Sequence, residues 1–229
     1  MRHSDQNGTM TVMSIRVMPP GKRWLASKKS SPLVIPNTLF NERKAAQAAA
    51  FLLYRAGGEL PLLKLLKLMY LAERESLRQY GDTITGDSFV SMNQGPVLSM
   101  TYEYINGGIQ SAPDGWSSWI SDRAEHNVAL RDPSRIRSPE QDLLALSDTD
   151  MECLDVVWKQ FGHIDRWALV RYTHSSACPE WEDPHGSSRP IPMGRLLKAL
   201  GYKPTEAAAI IKRQHEQRYI QSSFSQASQ

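Results

Sequence analysis

At 229 residues, with 41% hydrophobic and 22% charged residues, the chain has the composition of one globular domain of ordinary size with extended ends. No stretch approaches the roughly 20 apolar residues of a membrane-spanning helix, which excludes that class. The net charge of +3 is uneven: residues 1–36 carry six Lys/Arg against one acid, Asp5, whereas the remainder carries 21 basic against 23 acidic residues. A body with that balance has no global field for phosphates, so nucleic-acid binding is expected only through the N-terminal tail.

Residues 1–36 mix Ser, Pro, Gly and Lys without apolar periodicity and read as a disordered basic extension. They contain no apolar run followed by a small-residue cleavage site, so no secretory signal is expected. Two cysteines, Cys153 and Cys178, are too few for a disulfide framework and suit a reducing cytoplasm. From Asn41 the periodicity predicts a helix capped by that residue and stopped by Gly57 and Gly58, with Ala45, Ala48, Leu52, Leu53 and Ala56 on one side. Leu60 to Tyr80 reads as the central helix, opened by Pro61 and closed by Gly81. Its apolar arc covers well over half the circumference. The remaining strip, Lys64, Lys67, Arg74 and Arg78, reads as a water-facing side or as a contact line for an acidic partner.

Asp87 to Met92 alternates as a short strand, after which Gln94-Gly95-Pro96-Val97 turns the chain into a helix ending at Gly107 and Gly108. Trp116, Trp119, Ile120 and Val128 to Leu130 are candidates for a small hairpin. Ser147 and Asp150 form a capping box for a helix to Phe161, stopped by Gly162. Helices over about 164–172, 192–200 and 205–220 follow, and residues 221–229 read as a flexible tail. The whole is mainly α: a single compact domain of about six to seven helices, over residues 37–220, with a small β-hairpin or short strands.

Chemistry is sparse. His163, His174, Cys178 and His185 are the residues nearest to a metal set, but they lack CxxC or HExxH spacing, so no metal is expected. Ser175 or Cys178 beside His174 or His185 would be needed for nucleophilic catalysis, and no flanking motif supports that. Asp82, Asp87, Glu180, Glu182 and Asp183 read as solvated loop carboxylates. The expectation is a protein that binds another protein, with no catalytic residue and no cofactor. A nucleic-acid-binding autoregulator using the basic tail and a metal-dependent hydrolase using the histidine set are the alternatives. Trp181 reads as either an interface anchor or a pin holding its loop to the core.

Several segments, in order, resemble the Panacea domain family, the SocA-like antitoxins also known as phage-associated proteins. Leu63-Lys64-Leu65-Leu66-Lys67-Leu68-Met69-Tyr70-Leu71-Ala72 is similar to the family's KLxKLxYLA helix, and Gly95-Pro96-Val97 to its GPV segment. Leu146-Ser147 opening an acid-capped helix that ends at Gly162 resembles its second-half helix pair. Thr173-His174, then Pro179 and Trp181, resemble its TH…PW element, followed by Ile191 and a last core helix. Glu180, between Pro179 and Trp181, departs from that element, and the long basic N-terminal extension is a second departure from the family. The resemblance spans about residues 43–202. It implies an antitoxin that neutralises a toxin encoded in the same operon by direct contact and, for the SocA-like type, delivers it to a Clp-type protease. Arg74, Arg78 and Trp181 are the expected partner contacts.

Overall fold

The computed structural model describes residues 39–122 and 126–227, so the expected N-terminal disorder lies outside the described residues. Helix α1, Glu42–Arg55, starts where the Asn41 side chain accepts the Lys44 N–H at 3.0 Å, and its alanine-rich face is buried. After the two glycines the chain forms strand β1, Glu59–Pro61, and only then helix α2, Leu62–Tyr80. The central helix thus opens two residues later than its sequence suggests, because Leu60 pairs opposite Val128 in a sheet.

Strands β2 (Phe89–Met92) and β3 (Gly95–Leu98) form a tight antiparallel hairpin, with Val90 opposite Val97. Gly95 to Val97 is therefore a returning strand, and helix α3, Ser99–Ile105, begins after it. One turn of helix, α4 (Trp116–Trp119), leads to the expected hairpin, β4 (Ile120–Asp122) with β5 (Asn127–Leu130). A 3-10 turn at Pro133–Arg135 and helix α5, Pro139–Asp142, follow. Helix α6, Asp148–Phe161, carries the capping box, with Ser147 N–H donating to Asp150 at 2.8 Å and Asp150 N–H to the Ser147 hydroxyl at 3.2 Å. The order closes with α7 (Arg166–Thr173), β6 (Arg189–Pro190), α8 (Met193–Ala199) and α9 (Pro204–Ala227). α9 runs past the Ile220 at which periodicity alone ends it.

The described residues thus hold nine α-helices and two three-stranded antiparallel sheets, ordered β1-β5-β4 and β3-β2-β6. The fold is mainly α, with more helices than six or seven and more strand than one hairpin. α2 sits at its centre, packed against α1, α6, α7 and β3, which is why most of its circumference is apolar. Among the described residues, no helix is long and apolar enough to cross a membrane.

Candidate functional site

Most of the basic strip of α2 does not face water. Lys67 is 0% exposed and donates to the Pro96 carbonyl of β3 at 2.8 Å. Arg74 is only 12% exposed at its side chain and reaches the loop after α7. Its Nη2 donates to the Ala177 carbonyl at 3.0 Å and to Glu180 at 3.3 Å. Its Nε lies 2.7 Å from Glu180 Oε1 without the alignment of a hydrogen bond. Tyr70, one turn before Arg74, is fully buried and donates its hydroxyl to the same carboxylate. Lys67, Tyr70 and Arg74 stand at i, i+3 and i+7, so one face of α2 presents all three inward. Lys64 donates to the Gly162 carbonyl at 2.7 Å, capping the C-terminus of α6, where a cation is favoured. Only Arg78 is exposed, and it pairs with Glu75 on its own helix.

The second half of the cluster comes from the end of α7 and the loop beyond. Thr173 is buried, and the half-buried His174 stacks on Trp181, with ring centroids 4.0 Å apart at 12°. Trp181 donates its indole N–H to the Met92 carbonyl at 3.1 Å, so this ring pins its loop to the β2–β3 turn. Gly95 lies between the halves at φ +94°. A methyl group there would sit 2.6 Å from Thr173 Oγ1, 2.9 Å from Lys67 Nζ and 3.1 Å from His174 Nε2. Only glycine accommodates both that backbone angle and that convergence. The structure therefore gathers Lys67, Tyr70, Gly95, Pro96, Thr173, His174 and Trp181 into one wall. Val97 is buried in β3 nearby, whereas Pro179 is exposed.

Burial sets the electrostatics. Desolvation lowers the Lys67 ammonium to about 7, and it raises the Tyr70 hydroxyl well above its ordinary range, with the Glu180 charge adding to that. His174 is lowered first by desolvation and then by the Lys67 charge; its Nε2 is buried with no hydrogen bond. Burial pushes the Cys178 thiol up to about 12, so it sits in the core as a neutral thiol. His163 and His185 are exposed, and the described residues hold no group of three His, Cys, Asp or Glu placed to hold a metal ion. The exposed Ser175 donates its hydroxyl to the Tyr172 carbonyl.

Two carboxylates expected in solvent are buried instead. Glu180, the residue that departs from the TH…PW pattern, is the acceptor at the centre of the cluster. Asp87 accepts the Met100 and Thr101 N–H groups at 2.9 and 2.8 Å, holding the start of α3. Asp82 is half-buried, while Glu182 and Asp183 are exposed as expected. Sequence reasoning missed Glu73 altogether: fully enclosed on α2, it accepts Ile84 N–H at 2.7 Å, Thr85 N–H at 2.8 Å and the Thr85 hydroxyl. Its one signal was an acid set among the apolar positions of a central helix.

The family model described as antitoxin SocA-like, Panacea domain, matches residues 65–182, just over half of the chain. No curated protein and no solved structure matches the chain. The matched span begins one residue after Lys64 and contains every member of that wall, from Lys67 to Trp181. The inward-facing motif residues and the match coincide, and the chain belongs to the family of SocA-like antitoxins with a Panacea domain.

Proposed function

We propose that this protein is an antitoxin that neutralises a toxin encoded beside it by direct protein contact. The observation that supports this reading is the direction in which the motif residues point. Lys67, Tyr70 and Glu180 are each 0% exposed, so no substrate can reach them, and their partners are one another and the backbone of neighbouring elements. Such residues act as a frame, and what remains for function is the surface they hold in place. In its finer form the reading has the antitoxin hand its toxin to a Clp-type protease in the cytoplasm. Its contacts then include the exposed Arg78 and the outward edge of Trp181, while Arg74 works from inside by fixing the loop. Residues 37–220 form the binding body in this reading, with 1–36 and 221–229 as appendages.

Co-expression with the product of the adjacent reading frame tests it. The full chain, and a chain lacking residues 1–36, should both restore growth and co-purify with that product. If the full chain neither restores growth nor co-purifies, the antitoxin reading fails. If only the shortened chain fails while remaining folded, the activity resides in the tail and the body-centred reading is wrong.

A further inference from the structure

α7 is short but firmly held. Leu169 and Thr173 are buried against the core, and the Asp165 side chain accepts the Trp167 and Ala168 N–H groups at 2.8 and 3.1 Å. At the other end, the His174–Trp181 stack and the Lys67–Gly95–Thr173 convergence fix the last turn. What this helix turns outward is Trp167, 49% exposed, with Arg171 one turn further on the same face. Arg166 lies beside them, its guanidinium carbon 5.4 Å from the Trp167 ring centroid. Neither Arg166 nor Arg171 forms an ion pair with a carboxylate among the described residues; Asp165 caps the Trp167 and Ala168 N–H groups, and the Arg171 charge acts on it at longer range.

An exposed indole flanked by two guanidinium groups, neither locked in an ion pair, has the composition in which interface energy concentrates. Its rigid mounting lowers the ordering cost of binding. We infer that the outer face of α7, through Trp167, Arg166 and Arg171, is the docking surface for the toxin, and that the toxin presents an apolar recess bordered by carboxylates. This inference rests on the antitoxin reading. A protein partner fits better than a nucleic acid, because the chain beyond residue 36 has two more acidic than basic residues and Asp165 stands at the head of the helix.

The test uses the full chain and the purified product of the adjacent reading frame, with titration calorimetry for binding and thermal melting for folding. Trp167→Ala should weaken the complex about 30-fold or more, the size expected of a hot-spot truncation. Arg171→Glu should weaken it at least about tenfold, and Lys198→Glu, an exposed charge on α8, should leave it within about twofold. Because Arg171 is exposed, its variant keeps the test decisive even if Trp167→Ala melts early. If the unaltered chain binds and both α7 variants bind equally well, the docking surface is elsewhere and only this inference falls. If the unaltered chain does not bind, the antitoxin reading falls and takes this one with it. If the α7 variants keep the protein complex but lose salt-sensitive retention of duplex DNA, the face serves nucleic acid and the inference is overturned.

Discussion

The Tyr70 hydroxyl and the Glu180 carboxylate lie 110 positions apart in sequence and meet in the core through a hydrogen bond. Arg74 closes the group from the other side, so one carboxylate serves a phenol and a guanidinium at once. Removing one partner from such a group costs more than the group contributes, because a buried polar atom is left without compensation.

Glu180→Ala should therefore destabilise by about 3–5 kcal/mol, leaving the Tyr70 hydroxyl without its acceptor and the Arg74 charge with only the Ala177 carbonyl. Tyr70→Phe should cost about 1–2 kcal/mol, since the ring stays packed against Phe89. Urea unfolding of the two variants and their combination checks this: the double variant should cost less than the sum, by about 0.5 kcal/mol or more. Strict additivity would mean that the hydrogen bond contributes nothing.

Gly95→Ala combines a disfavoured positive φ with a methyl group driven into three polar atoms, and should cost about 3 kcal/mol or more. Gly57 separates the two terms, since it has φ +83° but open space around it. Gly57→Ala should cost only about 1–2 kcal/mol from the backbone alone. Equal costs in thermal unfolding would show that the convergence on Gly95 is not tight.

The elements with local signals were legible. The Asn41 cap, the Ser147–Asp150 box and the Ile120 to Leu130 hairpin all form where their residues indicate. What could not be read was the direction of the α2 cations. Spacing aligned Lys64, Lys67, Arg74 and Arg78, but only tertiary contacts decide which of them turn inward. Lys67 turns toward a carbonyl 29 residues away and Arg74 toward a loop more than 100 residues away. The same holds for Glu180, a loop carboxylate by sequence and a buried hub by structure. Its burial depends on partners contributed by α2, which no local pattern around residue 180 encodes.

Within α2 the apolar and basic positions should respond differently to truncation. Leu66→Ala should cost about 2–5 kcal/mol, as expected for an enclosed leucine. Lys64→Ala should cost about 1 kcal/mol, the loss of one hydrogen bond and a favourable charge at the end of α6. Denaturant midpoints for the pair check the ranking, and a Lys64 effect matching that of Leu66 would contradict the half-buried capping role.

Lys67 and Glu73, both on α2, are perturbed by burial in opposite senses, and stability should carry both signatures in its pH dependence. Lys67 falls from 10.5 to about 7 in the folded chain. Between those values the unfolded chain binds a proton that the folded chain does not, so this group makes stability rise with pH from about 7 to 10.5. Glu73 rises from 4.5 to about 7, chiefly through desolvation. Across that window the folded chain holds the extra proton, so this group makes stability fall as pH rises from 4.5 to about 7. The two contributions should place a local minimum near neutrality, the lower limb about 3 kcal/mol and the upper limb about 5 kcal/mol at most. Urea midpoints between pH 4.5 and 10 would trace it. Lys67→Met should flatten the upper limb and leave the lower one, and Glu73→Gln should do the reverse. An upper limb unchanged in Lys67→Met would mean that the buried ammonium keeps its proton throughout and that the Pro96 carbonyl compensates its burial.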